Sequence, residues 1–273
     1  MDTAQENTVL SPEDVACFEQ HGYVYLPNAF ARADALAIQE TIWSQMREQG
    51  IEHSDRSTWP TGAWNGVKDH PSLERGIAAP RLCGAIHQLL GSDTWRVPDR
   101  WGGFLISFPT AATHDWELTR QGWHWDDTLM NHFGQRTTGL FIFTLYSDVQ
   151  AHAGGTLVVP GSHRLIEQFF HRLSPAEQNL KQKPLKQRFA QSQPWFAELT
   201  GITDESSDRI QRFMEETSEV DGVPVKVIEI TGEAGDAYLC HPAIYHAASP
   251  NHGEVPRFMR VKGLVKQQHP PEK

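Results

Sequence analysis

Residues 235–251 read GDAYLCHPAIYHAASPN and join a β-prone run at 237–240 to two histidines, His241 and His246. Arg257 follows eleven residues after His246. Similar β-rich runs, separated by Gly, Pro, Asn and Asp, recur from about residue 100 at 104–108, 139–146, 156–159, 225–230 and 258–265. Short runs broken by turn residues are typical of antiparallel sheets. We therefore expect an antiparallel β core in the second part of the chain.

The first hundred residues have a helical texture instead. Ser11 can cap a helix whose first turn holds Pro12, and this helix should end at Gly22 before a strand at 23–26. Apolar residues then recur at intervals of three and four, which predicts two helices with one buried face each. The first carries Ala35, Ile38, Ile42 and Met46 and should end at Gly50, and the second carries Leu82, Ile86, Leu89 and Leu90.

A long polar stretch at 163–224 interrupts the β-rich region. Connections of this length inside a compact domain are usually functional or mobile. We therefore expect a single domain over 1–273, with helical support at 1–100 and a β core at 101–265. In that arrangement 163–224 is an insertion that covers one mouth of the core.

A candidate metal site begins at residues 122–127, Gly-Trp-His-Trp-Asp-Asp. In a strand, residues two apart point to the same face, so His124 and Asp126 can reach one ion. Two imidazoles and one carboxylate on one side of a metal form the site type of non-haem Fe(II) oxygenases. Farther along the chain, His241 and His246 are the candidates for the second imidazole.

The sequence contains a second pair of this kind, His53 and Asp55. This pair lies in a polar linker after a predicted helix end, whereas His124 and Asp126 open the β-rich region. Context therefore favours the later pair, and a chance match explains the earlier one.

In this order the motifs resemble the phytanoyl-CoA dioxygenase family. The resemblance covers His21-Gly22-Tyr23-Val24, Leu89-Leu90-Gly91, residues 154–163, both metal motifs and Arg257. It implies a mainly β protein with flanking helices, in which a double-stranded β-helix (a jelly roll, cupin-like) brings His124, Asp126 and His246 together. The spacing to Arg257 favours His246 over His241 as the ligand.

The resemblance also implies the cofactors, Fe(II) and the co-substrate 2-oxoglutarate. Arg257 would hold the remote carboxylate of 2-oxoglutarate, because a guanidinium matches a carboxylate with two charge-assisted bonds. Arg260 is the alternative, although its spacing points it to the other face of the strand. Phe104 and Thr144 fall where the family lines the co-substrate pocket. Ala248 replaces a common hydroxyl residue, and Ser249 is the candidate substitute.

The implied reaction is oxidation of a small molecule by O2, with release of succinate and CO2. Hydroxylation is the default outcome, and desaturation, epoxidation and ring rearrangement stay open because they depend on substrate placement and not on the ligands. Asp126 argues against a halogenase, in which a small residue replaces the carboxylate. Trp123, Trp125 and Asp127 are candidate substrate contacts. Two alternatives stay open: a β-barrel protein with a non-catalytic metal site, and a zinc-dependent hydrolase with Asp127 as the general base.

Composition limits the other classes of function. The formal net charge of -10 and the scattered basic residues argue against nucleic-acid binding. No run of residues has the apolar length of a membrane span, and the N-terminus lacks the features of a signal peptide. The three cysteines are far apart and odd in number, which fits a reduced compartment. We therefore expect a cytoplasmic enzyme, and the sequence does not predict its oligomeric state.

Overall fold

The computed structural model describes residues 8–110, 115–126, 139–178, 180–203 and 208–267. The helices are α1 Pro12–His21, α2 Arg32–Arg47, α3 Pro80–Leu90, α4 Ser162–Arg172, α5 Pro175–Gln178, α6 Gln182–Ser192 and α7 Pro194–Leu199. The strands are β1 Tyr23–Leu26, β2 Gly62–Trp64, β3 Gly103–Phe108, β4 Gly139–Leu145, β5 Leu157–Val159, β6 Ser218–Val220, β7 Val223–Val225, β8 Ile228–Glu229, β9 Ala237–Cys240, β10 Tyr245–Ala247 and β11 Arg257–Val265.

Two antiparallel sheets form the core. The larger has six strands in the order β1-β9-β4-β11-β3-β2, and the smaller has three in the order β10-β5-β8. A hairpin of β6 and β7 stands apart from both. Neighbouring strands are far apart in the sequence, so ligands from distant segments can meet between the sheets. The predicted jelly-roll class, mainly β with flanking helices, is confirmed.

Strict alternation divides the six-stranded sheet into two faces. Alternate residues such as Ile106, Ile142 and Phe258 pack into one apolar cluster with the buried faces of α2 and α3. Residues between them, such as Phe143 and Met259, form a second cluster with Val158 and Ile244 of the small-sheet side. We call the face of Phe143 and Met259 the inner face, because it is turned toward the small sheet.

The N-terminal helices follow the sequence prediction closely. Ser11 and Asp14 form a reciprocal capping box at the start of α1, with hydrogen bonds of 3.1 and 2.9 Å. Gly22 closes α1 in the left-handed conformation, with φ 78°. The prediction for α2 is wrong only at its end: the helix stops at Arg47, and a turn whose Gly50 N–H donates to the Arg47 carbonyl follows.

The region 163–224 is mainly helical. Its helices α4, α6 and α7 pack on the side of the small sheet that faces away from the large sheet, where Phe170, Phe189 and Phe196 meet Trp125 and Tyr245. The predicted strand at 225–230 is wrong in part. Val225 ends the separate hairpin, and the Val227 N–H donates to the carbonyl of Phe213, so only Ile228–Glu229 joins the small sheet. The status of 163–224 as an insertion stays a prediction.

No helix in the described residues is both long and apolar enough to cross a bilayer.

Asp236 explains why a Gly-Asp pair stands before β9. Its buried carboxylate accepts hydrogen bonds from the Tyr25 hydroxyl at 2.6 Å, the Asn28 N–H at 2.8 Å and the Glu233 N–H at 2.8 Å. Gly235 has φ 104°, and a Cβ there would lie 2.7 Å from the Phe30 carbonyl oxygen. The pair therefore fastens the chain after β1 to the start of β9.

Replacing Asp236 by Ala is expected to lower the free energy of unfolding by about 3 kcal/mol, because three donors lose a charged acceptor in a buried position. Chemical denaturation monitored by circular dichroism measures the change. Asp236→Asn keeps one acceptor oxygen and should lose less. Equal stability of the wild type and the Ala variant would refute the fastening role.

Candidate metal centre

Three side chains from two distant segments converge between the sheets. His124, Asp126 and His246 each offer a ligand atom, and these atoms all lie within 4.8 Å of one another. Nε2 of His246 is 3.4 Å from Oδ2 of Asp126, and the two imidazole centroids are 4.3 Å apart. The structure thus brings together the three residues that the sequence singled out. We call them the His-Asp-His cluster.

Backbone pairing explains the convergence. His124 and His246 form an antiparallel bridge in which each N–H donates to the other's carbonyl, at 2.9 and 2.8 Å. Directly opposed residues project to the same side of a sheet, and Asp126 follows two positions after His124. His246 lies in β10, where it is paired with Val158 of β5. One bridge therefore sets the position of both imidazoles.

The orientation of each imidazole is fixed through its Nδ1 atom. Nδ1 of His124 lies 2.6 Å from the Gly122 carbonyl oxygen, and Nδ1 of His246 lies 3.0 Å from the Ile244 carbonyl oxygen. A carbonyl oxygen can only accept a hydrogen bond, so Nδ1 carries a proton in both residues and Nε2 is the atom that faces the cluster. This arrangement is the usual support of a metal-binding histidine.

Burial keeps His246 in the form that binds metals. Loss of hydration, with a smaller contribution from the nearby His124, lowers the pKa of His246 to about 3. The imidazole is therefore neutral across the physiological range, as a metal ligand must be. Together, two imidazoles and a carboxylate fit Fe(II) in type and number.

An apolar wall lies beside the cluster. It consists of two aromatic side chains whose place in the site was not predicted from the sequence. The rings of Phe141 and Phe143 lie 5.5 and 6.1 Å from the His246 ring. Both come from the inner face of β4. Their alternate spacing in the sequence was the available signal, although it does not reveal which face is inward.

Arg257 lies on the same inner face. It begins β11 two residues before Met259, and its Nη1 is 3.9 Å from the Met259 sulfur. The side chain is buried, its Nε has no hydrogen-bond partner, and no ion pair involving it is found among the described residues. Burial lowers the pKa of Arg257 to about 10, against the opposing influence of Glu229, so it remains charged at neutral pH. A buried guanidinium with an unsatisfied donor suits a carboxylate ligand.

Glu229 is the carboxylate whose negative charge favours the protonated form of Arg257. It accepts hydrogen bonds from the His152 N–H at 2.7 Å and the Gly155 N–H at 2.9 Å. Burial nevertheless raises the pKa of Glu229 to about 7. No hydrogen bond joins Glu229 to Arg257 among the described residues, so Arg257 keeps donors for a ligand.

Arg260, the alternative anchor, lies on the other face and has a structural role. Its guanidinium donates to Glu74 at 2.5 Å and to the carbonyls of Leu73 and Gly102 at 2.8 and 3.0 Å. These bonds fasten β11 to the N-terminal segment.

Phe104 and Thr144 also lie on that other face. Both are paired with Arg260 in the sheet register, and the Arg260 guanidinium covers the Phe104 ring at 4.5 Å. Thr144 donates to the Tyr146 hydroxyl at 3.5 Å. The structure therefore does not bring these two residues to the His-Asp-His cluster. Leu105 and Phe143 occupy the inward positions next to them in sequence.

The candidate substrate residues are distributed differently. Trp123 and Trp125 alternate with the two ligands and point to the helical side of the small sheet, where Trp123 stacks on Tyr245 at 5.8 Å. Asp127 lies outside the described residues. Ser249 is buried and accepts a hydrogen bond from Trp116 Nε1 at 3.1 Å, while Ala248 is exposed. His241 is outside the cluster, and its Nδ1 accepts from the Ala243 N–H.

One family model and several known proteins match this chain. The family model for phytanoyl-CoA dioxygenase matches residues 18–259. The ectoine dioxygenase of Stutzerimonas stutzeri is 28% identical over 166 residues, which are 58% of this chain and 52% of that protein. The ectoine dioxygenase of Bordetella bronchiseptica is 23% identical over 274 residues, or 96% of this chain and 79% of that protein.

Two solved structures have the same fold. The carbocyclase SnoK from nogalamycin biosynthesis, described as non-heme and α-ketoglutarate-dependent, aligns with a TM-score of 0.52 and 18% identity over 98% of this chain and 87% of its own. EctD from S. alaskensis with 2-oxoglutarate and 5-hydroxyectoine aligns with a TM-score of 0.53 and 18% identity over 97% of this chain and 78% of its own. At these identities the likeness shows the fold alone.

The family match covers most of the chain, including both metal motifs and Arg257. The chain therefore belongs to the phytanoyl-CoA dioxygenase family of Fe(II)- and 2-oxoglutarate-dependent oxygenases.

Proposed function

We propose that the protein hydroxylates a small molecule, using Fe(II), 2-oxoglutarate and O2, with release of succinate and CO2. The observation that carries the proposal is the meeting of His124, Asp126 and His246, whose ligand atoms lie within 4.8 Å of one another. These residues would hold the iron, and Arg257 would hold the remote carboxylate of 2-oxoglutarate. Bound iron and 2-oxoglutarate together supply the oxidising power for an unactivated C–H bond.

The protein's own groups hold the reactants and limit the access of water. The two carbonyls behind the imidazoles fix the orientation of both rings, so their Nε2 atoms would bind iron with little reorganisation. Phe141 and Phe143 exclude water on one side of His246. Asp126 has 30% of its side chain exposed, against 7% for His246, so access to the cluster is from its side.

Arg257 distinguishes this function from the two alternatives. A structural metal site or a zinc hydrolase has no use for a buried guanidinium on the inner face, whereas a keto-diacid needs one. The likeness to ectoine dioxygenases supports a small, amino-acid-derived substrate, and ectoine is the first compound to assay.

Anaerobic addition of Fe(II) and then 2-oxoglutarate to the purified protein is expected to produce a weak visible charge-transfer band. Admission of air should then yield succinate, and the true substrate should increase its rate of formation. Zn(II) in place of Fe(II) is the control and should give neither signal. A protein that binds Fe(II) but shows no 2-oxoglutarate-dependent band would refute the proposal.

A further inference from the structure

A cavity of about 420 Å³ lies between α6 and the chain segment before the first ligand pair. Trp123 and Tyr245 form its aromatic floor, and the remaining lining residues are Arg120, Gly122, Lys183, Lys186, Gln187, Ala190, Thr200 and Ile202. We call it the α6 cavity. Its volume is in the range of small-molecule sites.

The lining is cationic. Three basic side chains, from Arg120, Lys183 and Lys186, border the cavity, and no carboxylate does among the described residues. Residues 181–192 contain four basic residues, of which Arg188 is paired with Glu177 outside this segment, and no acidic one, in a chain with a formal net charge of -10. A local excess of positive charge against this background indicates a site for an anion.

Helical spacing collects the charges on one face of α6. One face of α6 lines the cavity through four residues at intervals of three, one and three: Lys183, Lys186, Gln187 and Ala190. The opposite face carries Leu185 and Phe189, which are buried in the apolar cluster. Like charges one turn apart destabilise a helix, and a bound anion would offset the repulsion between them.

The α6 cavity adjoins the His-Asp-His cluster without including it. Trp123 and Tyr245 precede the ligands His124 and His246 in sequence and point to the opposite side of the small sheet. Gly122, in the cavity wall, accepts from His124 Nδ1 at 2.6 Å. Lys186 lies over the Trp125 ring, with its Nζ 5.7 Å from the centroid. A ligand in the cavity would thus contact the segment that positions both imidazoles.

We propose that the α6 cavity binds an organic anion, with its carboxylate, sulfonate or phosphate beside Lys183 and Lys186 and its apolar body against Trp123 and Tyr245. Charge-assisted bonds to two ammonium groups supply selectivity for the anion. An aromatic floor of two stacked rings supplies the apolar contact. The anion is either part of the substrate, which then reaches the cluster past Gly122, or a separate effector. The binding itself does not depend on the proposed function, whereas the substrate alternative rests on it.

The test uses a matched pair of fluorescent probes, 1-anilinonaphthalene-8-sulfonate and the neutral N-phenyl-1-naphthylamine. We expect the sulfonate to bind the full-length protein at least about tenfold more tightly, since one charge-assisted bond is sufficient for a factor of that size. The double variant Lys183→Gln, Lys186→Gln should lose about tenfold in affinity for the sulfonate and nothing for the neutral probe. Lys226→Gln, an exposed lysine outside the cavity, is the matched control and should bind like the wild type.

Equal affinity of the double variant and the wild type for the sulfonate, with unchanged circular dichroism and Tm, would overturn the inference. Compounds that increase succinate formation are then titrated against the bound sulfonate probe. Displacement assigns the cavity to the substrate, and independence assigns it to an effector. Sulfonate binding without succinate formation defeats only the proposed function, and succinate formation without sulfonate binding defeats only this inference.

Discussion

His246→Ala is expected to abolish Fe(II) binding and all 2-oxoglutarate turnover. The imidazole is one of three donors, it is almost fully buried, and its partner in the backbone bridge is a second donor. Loss of an outer-shell partner alone typically costs roughly ten- to a hundredfold in metal affinity, and loss of a ligand itself should cost more. Equilibrium dialysis against Fe(II) and a succinate assay measure the two effects.

His53→Ala is the matched control, because His53 and Asp55 repeat the spacing of the ligand pair. In the structure His53 stacks on Trp43 at 4.4 Å, and Asp55 accepts from the Ser57 N–H at 3.0 Å. The control should bind Fe(II) like the wild type. If His246→Ala retains wild-type Fe(II) affinity while His53→Ala loses it, the metal site is elsewhere.

The sequence was informative where the chemistry depends on local spacing. Residues two apart in an extended segment share a face in any sheet, so the joint direction of His124 and Asp126 could be predicted without the fold. The addition of His246 depended on the family resemblance, since nothing local to either segment indicates the backbone bridge between them. The capping box at Ser11 and the buried face of α2 were predictable for the same local reason.

Which face of a strand turns inward was harder to predict. Phe104 and Thr144 alternate with Leu105 and Phe143, and both sets are buried or half-buried because the six-stranded sheet is covered on both faces. A sheet of this kind gives no polar and apolar alternation from which to choose the inner face. The choice follows from the pairing with β11, which is a long-range contact.

The helices of 163–224 show a related limit. The apolar positions in this region could indicate helices. They could not predict that Phe170, Phe189 and Phe196 contact Trp125 and Tyr245 on the far side of the small sheet from the ligands. The α6 cavity therefore follows from tertiary packing alone. Trp123 was singled out from sequence as a candidate substrate contact, and it lines this cavity.

Arg257→Ala is expected to weaken 2-oxoglutarate binding by about a hundredfold while Fe(II) binding is retained, because the change removes a charge-assisted pair of bonds without altering the ligands. The affinity is measured by anaerobic titration of the charge-transfer band. Arg257→Lys keeps the charge but lacks the planar fork, and it should recover only part of the affinity. Normal 2-oxoglutarate binding by Arg257→Ala would show that the anchor lies elsewhere.

Arg260→Ala is the matched control because it removes the same side chain three residues later on the opposite face. Arg260 is buried and forms an ion pair with the half-buried Glu74, so its loss should lower the free energy of unfolding by about 3 kcal/mol. The 2-oxoglutarate affinity of the folded fraction should be unchanged. Arg257 has no ion pair among the described residues, so its loss removes a buried charge and should not destabilise the protein in this way. The two variants thus separate binding from stability, because Arg260 is held by an ion pair and two carbonyls of the protein, whereas the guanidinium of Arg257 contacts only the Met259 sulfur among the described residues.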